Sequence, residues 1–102
     1  MTFTLHSHAA VATTRPERWG KQLASHLSHK VTVVSTARGD ELSIGAGLGV
    51  IRAESGVLVL EAHADDAEAL ALVEDVLGRH LTRFGEKDAL VVDWVPEGAS
   101  ES

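Results

Sequence analysis

The stretch "HLSHK" at residues 26–30 sets two imidazoles three residues apart, with an ammonium group directly after them. Imidazole titrates near neutral pH and coordinates metals, so His26 and His29 suit metal ligation, proton transfer or contact with a bound ligand. Lys30 adds a fixed positive charge. A third ring, His80, stands in "GRHLTRFG" (78–85) three residues before Arg83. A second constellation is "HSH" (6–8), where His6 and His8 are two residues apart; Glu61 and His63 repeat that spacing later. Imidazole and carboxylate together suit Zn, Ni or Fe(II). In each case the bland alternative is a histidine hydrogen-bonded at a core edge or on a solvated face.

What these side chains can do depends on the elements that carry them. "TTRPERWGKQLASHLS" (13–28) begins with a helix-start signal: Thr14 and Glu17 at capping-box spacing and Pro16 in the first turn. Trp19, Leu23 and Leu27 then recur every four residues, which predicts a helix over 15–28 with one apolar stripe. At about 100° per residue, His26 falls about 20° from the direction of Trp19, and His29 about 80° from it. His26 is therefore expected toward the core and His29 toward solvent. The clearest element is residues 65–85. Asp65 and Glu68 have capping-box-like spacing, Leu70, Val73, Leu77, Leu81 and Phe84 form the stripe, and Gly85 ends it. His80 borders that stripe, so His26 and His80 are expected to approach each other.

The rest reads as strands. Residues 3–13 alternate, with His6 and His8 on one side, about 6.5–7 Å apart along the strand. Four short runs follow at 31–37, 40–44, 48–53 and 57–64, separated by compact turns that contain glycine. "ALVVDWV" (89–95) is the expected last strand, and residues 97–102 a mobile polar tail after a single domain over 1–96. The order β-α-β-β-β-β-α-β predicts an α+β fold, a mainly antiparallel sheet with two helices on one face, as in a TATA-box-binding-protein-like sandwich. A ferredoxin-like variant is the alternative. Val57, Val59, Val92 and Trp94 are expected on the face away from the helices. An apolar patch there would meet a partner, with a homodimer the first candidate.

Composition removes several function classes. The formal charge is −6, from 9 Lys and Arg against 15 Asp and Glu, and the basic residues are scattered, which disfavours nucleic-acid binding. No apolar run approaches the roughly 20 residues a membrane span needs. "MTFTLHSH" lacks a signal-peptide pattern, so the cytoplasm is the expected location. With no cysteine there is neither a disulfide nor a thiolate ligand. Nucleophilic catalysis finds no Cys, no Tyr and no Gly-x-Ser-x-Gly turn, so an enzyme is not expected. "RGD" (38–40) reads as a turn between strands. "GAGLG" (45–49) joins two strands instead of leading from a strand into a helix, so it carries no dinucleotide site. "DD" (65–66) belongs to a helix start.

The segments "HAAVATTRPERWGKQLASHLSHKV" (8–31), "GVLVLEAHADDAEALALVEDVLGRHLTRFG" (56–85) and "VVDWV" (91–95) together resemble a small bacterial family, the domain-of-unknown-function family twenty-two eighteen. Its pattern pairs a helix ending His-x-x-His-Lys, here His26, His29 and Lys30, with His-Leu-x-Arg-Phe, here His80, Leu81, Arg83 and Phe84, and a terminal tryptophan, here Trp94. Where the family pattern often has a cysteine, this chain has Ser25, so no thiol role carries over. The resemblance implies a domain found alone or attached to flavoproteins of the siderophore-interacting type, and brings no established activity or cofactor. The expectation is a non-enzymatic accessory or binding domain in iron utilisation, with His26, His29, Lys30, His80 and Arg83 as ligand contacts and a flavin reductase as partner. The alternatives are a transition-metal binder, using those histidines or His6 and His8, and a structural homodimer module.

Overall fold

A computed structural model describes residues 3–97. The elements follow in the order β1 (Leu5–Ala12), α1 (Pro16–Leu27), β2 (Val33–Thr36), β3 (Gly39–Ile44), β4 (Gly47–Glu54), β5 (Val57–Ala64), α2 (Ala67–Phe84), a 3-10 turn (Glu86–Asp88) and β6 (Val95–Glu97). One six-stranded sheet has the order β2-β3-β4-β5-β1-β6, and every pairing is antiparallel. The α+β order is the one expected. A ferredoxin-like sheet is antiparallel throughout as well, so the all-antiparallel pairing agrees with both expected arrangements.

Alternation assigns the two sheet faces. On β5, Leu58, Leu60, Ala62 and Ala64 are buried, while Val57, Val59, Glu61 and His63 are half-exposed. Leu58, Leu60 and Ala62 join Ala9, Val11 and Ile51 with Leu23 and Leu27 of α1 and Val73, Leu77 and Leu81 of α2 in one core. Both helices therefore cover one face, and the other face stays open. Gly49 lets α2 approach: a Cβ there would sit 3.0 Å from a Leu77 methyl. The buried Ser7 hydroxyl donates to Glu74 of α2 at 2.6 Å, so the one polar side chain in the described core has a partner. Trp19 Nε1 donates to Asp88 at 3.2 Å and ties α1 to the turn after α2. Among the described residues no helix is long and apolar enough to cross a membrane.

Five local expectations are corrected. Thr14 does not cap α1. Its N-cap is Arg15, without a side-chain cap, and the Arg15 N–H donates to Thr13 Oγ1. On α2 the cap is Asp66, which accepts from the Ala69 N–H at 2.7 Å, while Asp65 accepts from the Thr4 N–H. The last strand is not 89–95 but Val95–Glu97, pairing with His6, Ser7 and His8 alone. Glu97 thus belongs to the sheet, and residues 98–102 of the expected tail lie outside the described residues. Val92 and Trp94 do not share the open face with Val57 and Val59. They lie against α2 at Gly78, where a Cβ would meet Trp94 Nε1 at 3.4 Å and Val92 at 3.6 Å. The missing side chain at Gly78 makes the room that takes them there.

Candidate functional site

Two groups of chemistry-bearing side chains emerge, on opposite sides of the sheet. The first lies where the last turn of α1 meets the last turns of α2. His26 is half-buried, and its ring centroid lies 5.2 Å from that of His80 and 4.9 Å from that of Phe84, the latter edge to face. The helix angles anticipated the His26–His80 approach. His80 Nδ1 lies 2.7 Å from the Val76 carbonyl oxygen. A carbonyl can accept but not donate, so Nδ1 carries the proton and Nε2 is free as an acceptor or ligand. His29, Lys30 and Arg83 surround the rings and are exposed.

The electrostatics of this cluster are one-sided. Partial burial holds His26 below its ordinary value of 6.5, and the charges of His80, Lys30, His29 and Arg83 press the same way. Cations near a helix C-terminus complement its dipole, which explains one or two of them on each helix. It does not explain two fixed cations, Lys30 and Arg83, gathered with three imidazoles at one point on a chain of net charge −6. Because the folded-state value lies below the unfolded one, the unfolded chain takes up the proton first. The His26 contribution to stability is therefore complete above pH 6.5 and is lost as the pH falls through the folded value. An NMR titration of the His26 ring should give a midpoint below 6.5. Lys30→Gln with Arg83→Gln should raise that midpoint partway; no movement would mean that burial and the neighbouring imidazoles set it.

The second group occupies the open face. Strands β1 and β5 are neighbours, with His6 directly opposite His63 and His8 directly opposite Glu61. His6 Nδ1 and His63 Nδ1 are 2.6 Å apart, and His63 Nε2 is 3.0 Å from Glu61 Oε1. A carboxylate accepts, so His63 Nε2 carries a proton, its Nδ1 accepts, and His6 Nδ1 donates to it. Arg52 Nη1 reaches the other Glu61 oxygen at 2.8 Å, and Arg52 Nε reaches Glu54 at 2.7 Å. Partial burial pushes the Glu61 carboxyl up, but hydrogen bonds from Arg52 and His63 outweigh it and hold the group below its ordinary value. His8 turns the other way, its Nδ1 2.6 Å from Glu97 Oε2. Among the described residues no three metal-ligating groups converge on one point.

The residues singled out from sequence thus fall into two sets, His63 and Glu61 joining the second. His26, His29, Lys30, His80 and Arg83 gather at the helix ends; His6 and His8 lie across the sheet from them. Sequence reasoning passed over Arg52 and Glu97. Arg52 sits at the same alternation as Val50 on β4, which is a weak signal. Glu97 gave none, since it was assigned to a tail.

No curated protein matches the chain. Among solved structures, the NMR structure of PA4090 from Pseudomonas aeruginosa superposes with a TM-score of 0.75, at 23% sequence identity. The alignment covers 97% of this chain and 100% of that one, and it shows a shared fold. The family model described as an uncharacterized protein conserved in bacteria, DUF2218, matches residues 8–95. That span takes in both histidine-bearing helix ends, and the chain belongs to this family of bacterial proteins.

Proposed function

We propose that this chain is a non-enzymatic accessory domain that binds an anionic iron chelate of the siderophore class at the joined ends of α1 and α2. One observation carries the reading: both family patterns, His-x-x-His-Lys and His-Leu-x-Arg-Phe, meet in a single cationic cluster built from His26, His29, Lys30, His80 and Arg83. The His26 ring, tilted against His80 and edge-on to Phe84, offers aromatic edges and faces against which a planar catecholate arm can pack. Lys30 and Arg83 supply charge-assisted hydrogen bonds to its oxygens. The choice of an iron chelate among anions rests on the resemblance to domains attached to siderophore-interacting flavoproteins. A flavin reductase of that type, in the cytoplasm, is the partner this reading names.

The test is calorimetric titration of the untagged protein with an iron(III) tris-catecholate, repeated with the gallium(III) form. The expected result is one chelate per chain. Charge-assisted hydrogen bonds are worth about 1.5–3 kcal/mol each, so Lys30→Glu with Arg83→Glu should weaken binding at least about tenfold. A wild-type protein that does not bind, or a double variant that binds equally well, ends the proposal.

A further inference from the structure

We propose that the open sheet face carries a transition-metal site, with His6, His8 and His63 supplying three imidazole ligands and Glu61 orienting His63. None of these residues belongs to the helix-end cluster. The first support is the register. With His6 opposite His63 and His8 opposite Glu61, four side chains stand at the corners of a rectangle on one face. Its edges are about 6.5–7 Å along the strand and about 4.5–5.5 Å between Cβ atoms across it. The His8 side chain is 40% exposed, against 13% for His63 and 21% for Glu61, so an ion reaches the centre past the histidines of β1.

The second support is where the ring nitrogens point. The two Nδ1 atoms of His6 and His63 face each other across 2.6 Å, sharing one proton. A divalent ion takes its place once His6 changes tautomer. The Nδ1 proton passes to solvent as Nε2 takes one up, so that both rings bind as neutral imidazoles. Metal–nitrogen bonds of about 2.0–2.1 Å require the rings to draw apart slightly, which a half-exposed face permits. The third support lies behind His63. A metal-ligating histidine typically donates its other N–H to a carboxylate, which fixes the tautomer and raises ligand basicity. His63 Nε2–H donates to Glu61 Oε1 at 3.0 Å, and Arg52 holds Glu61 from its other oxygen at 2.8 Å. The third imidazole arrives by one rotation: His8, its side chain 40% exposed, turns from Glu97 toward the centre. Three imidazoles with an open fourth position suit Zn(II), Ni(II) or Cu(II) better than Mg(II) or Ca(II).

The test is titration of untagged protein with Zn(II), followed by native mass spectrometry, and with Co(II), followed by its visible absorption. One ion per chain and a tetrahedral Co(II) band are expected. His6→Ala, His8→Ala and His63→Ala should each weaken binding at least tenfold, Glu61→Gln about 10- to 100-fold, and His26→Ala with His29→Ala not at all. Circular dichroism of each variant separates loss of the site from loss of the fold, and His63→Gln serves if His63→Ala unfolds. The proposal is overturned by absence of stoichiometric metal, or by wild-type affinity in the His6 or His63 variants. It is equally overturned by loss of binding in the His26/His29 variant, and wild-type affinity in His8→Ala overturns the three-imidazole assignment.

Discussion

Leu77→Ala is expected to lower the stability of the domain by about 2–5 kcal/mol, the range for truncating a fully buried leucine. Leu77 is 0% exposed, and its methyl groups rest over β4 at Gly49, where no side chain intervenes. The cavity cannot easily be refilled, because Ile44 and Leu81 beside it are buried within the same core. A domain of this size has about 5–15 kcal/mol in total, so the loss is a large share of it. It should appear in urea unfolding as a lower midpoint with an unchanged slope. The comparison is Leu72→Ala, one helix face away and 46% exposed, which should shift the midpoint little. Equal effects would mean that α2 is seated on the sheet by a different face. Because Leu77 lies one turn before His80 and Leu81, loosening it should also disperse the cluster at the helix ends.

Gly39→Ala is the second large effect, and its cause is backbone geometry. Gly39 opens β3 after the Ala37–Arg38 loop at a φ of +129°, a region that side-chain-bearing residues rarely enter. A Cβ there would lie 2.4 Å from the Ile51 carbonyl oxygen, which belongs to the sheet and cannot swing aside. Backbone strain of about 1–3 kcal/mol adds to an overpacking cost of about 1–3 kcal/mol. Gly56→Ala isolates the first contribution. Gly56 also has positive φ, +73°, but no atom lies within 4 Å of its added Cβ. It should cost about 1–2 kcal/mol. If the two substitutions destabilise equally, the contact with Ile51 carries none of the effect.

Local patterns made the helices legible, because stripe, cap region and terminal glycine agree over many residues. Even so, each cap fell at a neighbouring residue. Asp65 and Asp66 offer the same carboxylate, and what separates them is that Asp65 bonds Thr4 across the sheet end. The C-terminal run failed for a physical reason. "ALVVDWV" has strong strand propensity, but a strand needs a paired edge, and of this segment only Val95 pairs with β1, opposite His8. Val92 and Trp94 gain more by packing on α2 at Gly78. The candidate sites divide along the same line. The meeting of His26 and His80 follows from two helix faces turned toward one core, which periodicity states. The pairing of His6 with His63 depends on β1 lying beside β5, residues 57 positions apart in sequence, and no local pattern sets that register.

High-spin iron(III) broadens NMR signals near it, and gallium(III) in the same chelate does not. Comparing amide and imidazole spectra of the untagged protein with the two chelates therefore locates the bound anion directly. Broadening centred on His26, His29, Lys30, His80 and Arg83, with His6, His8 and His63 unaffected, is the result this account predicts. Broadening centred on the open face, or none anywhere at saturating chelate, would contradict it.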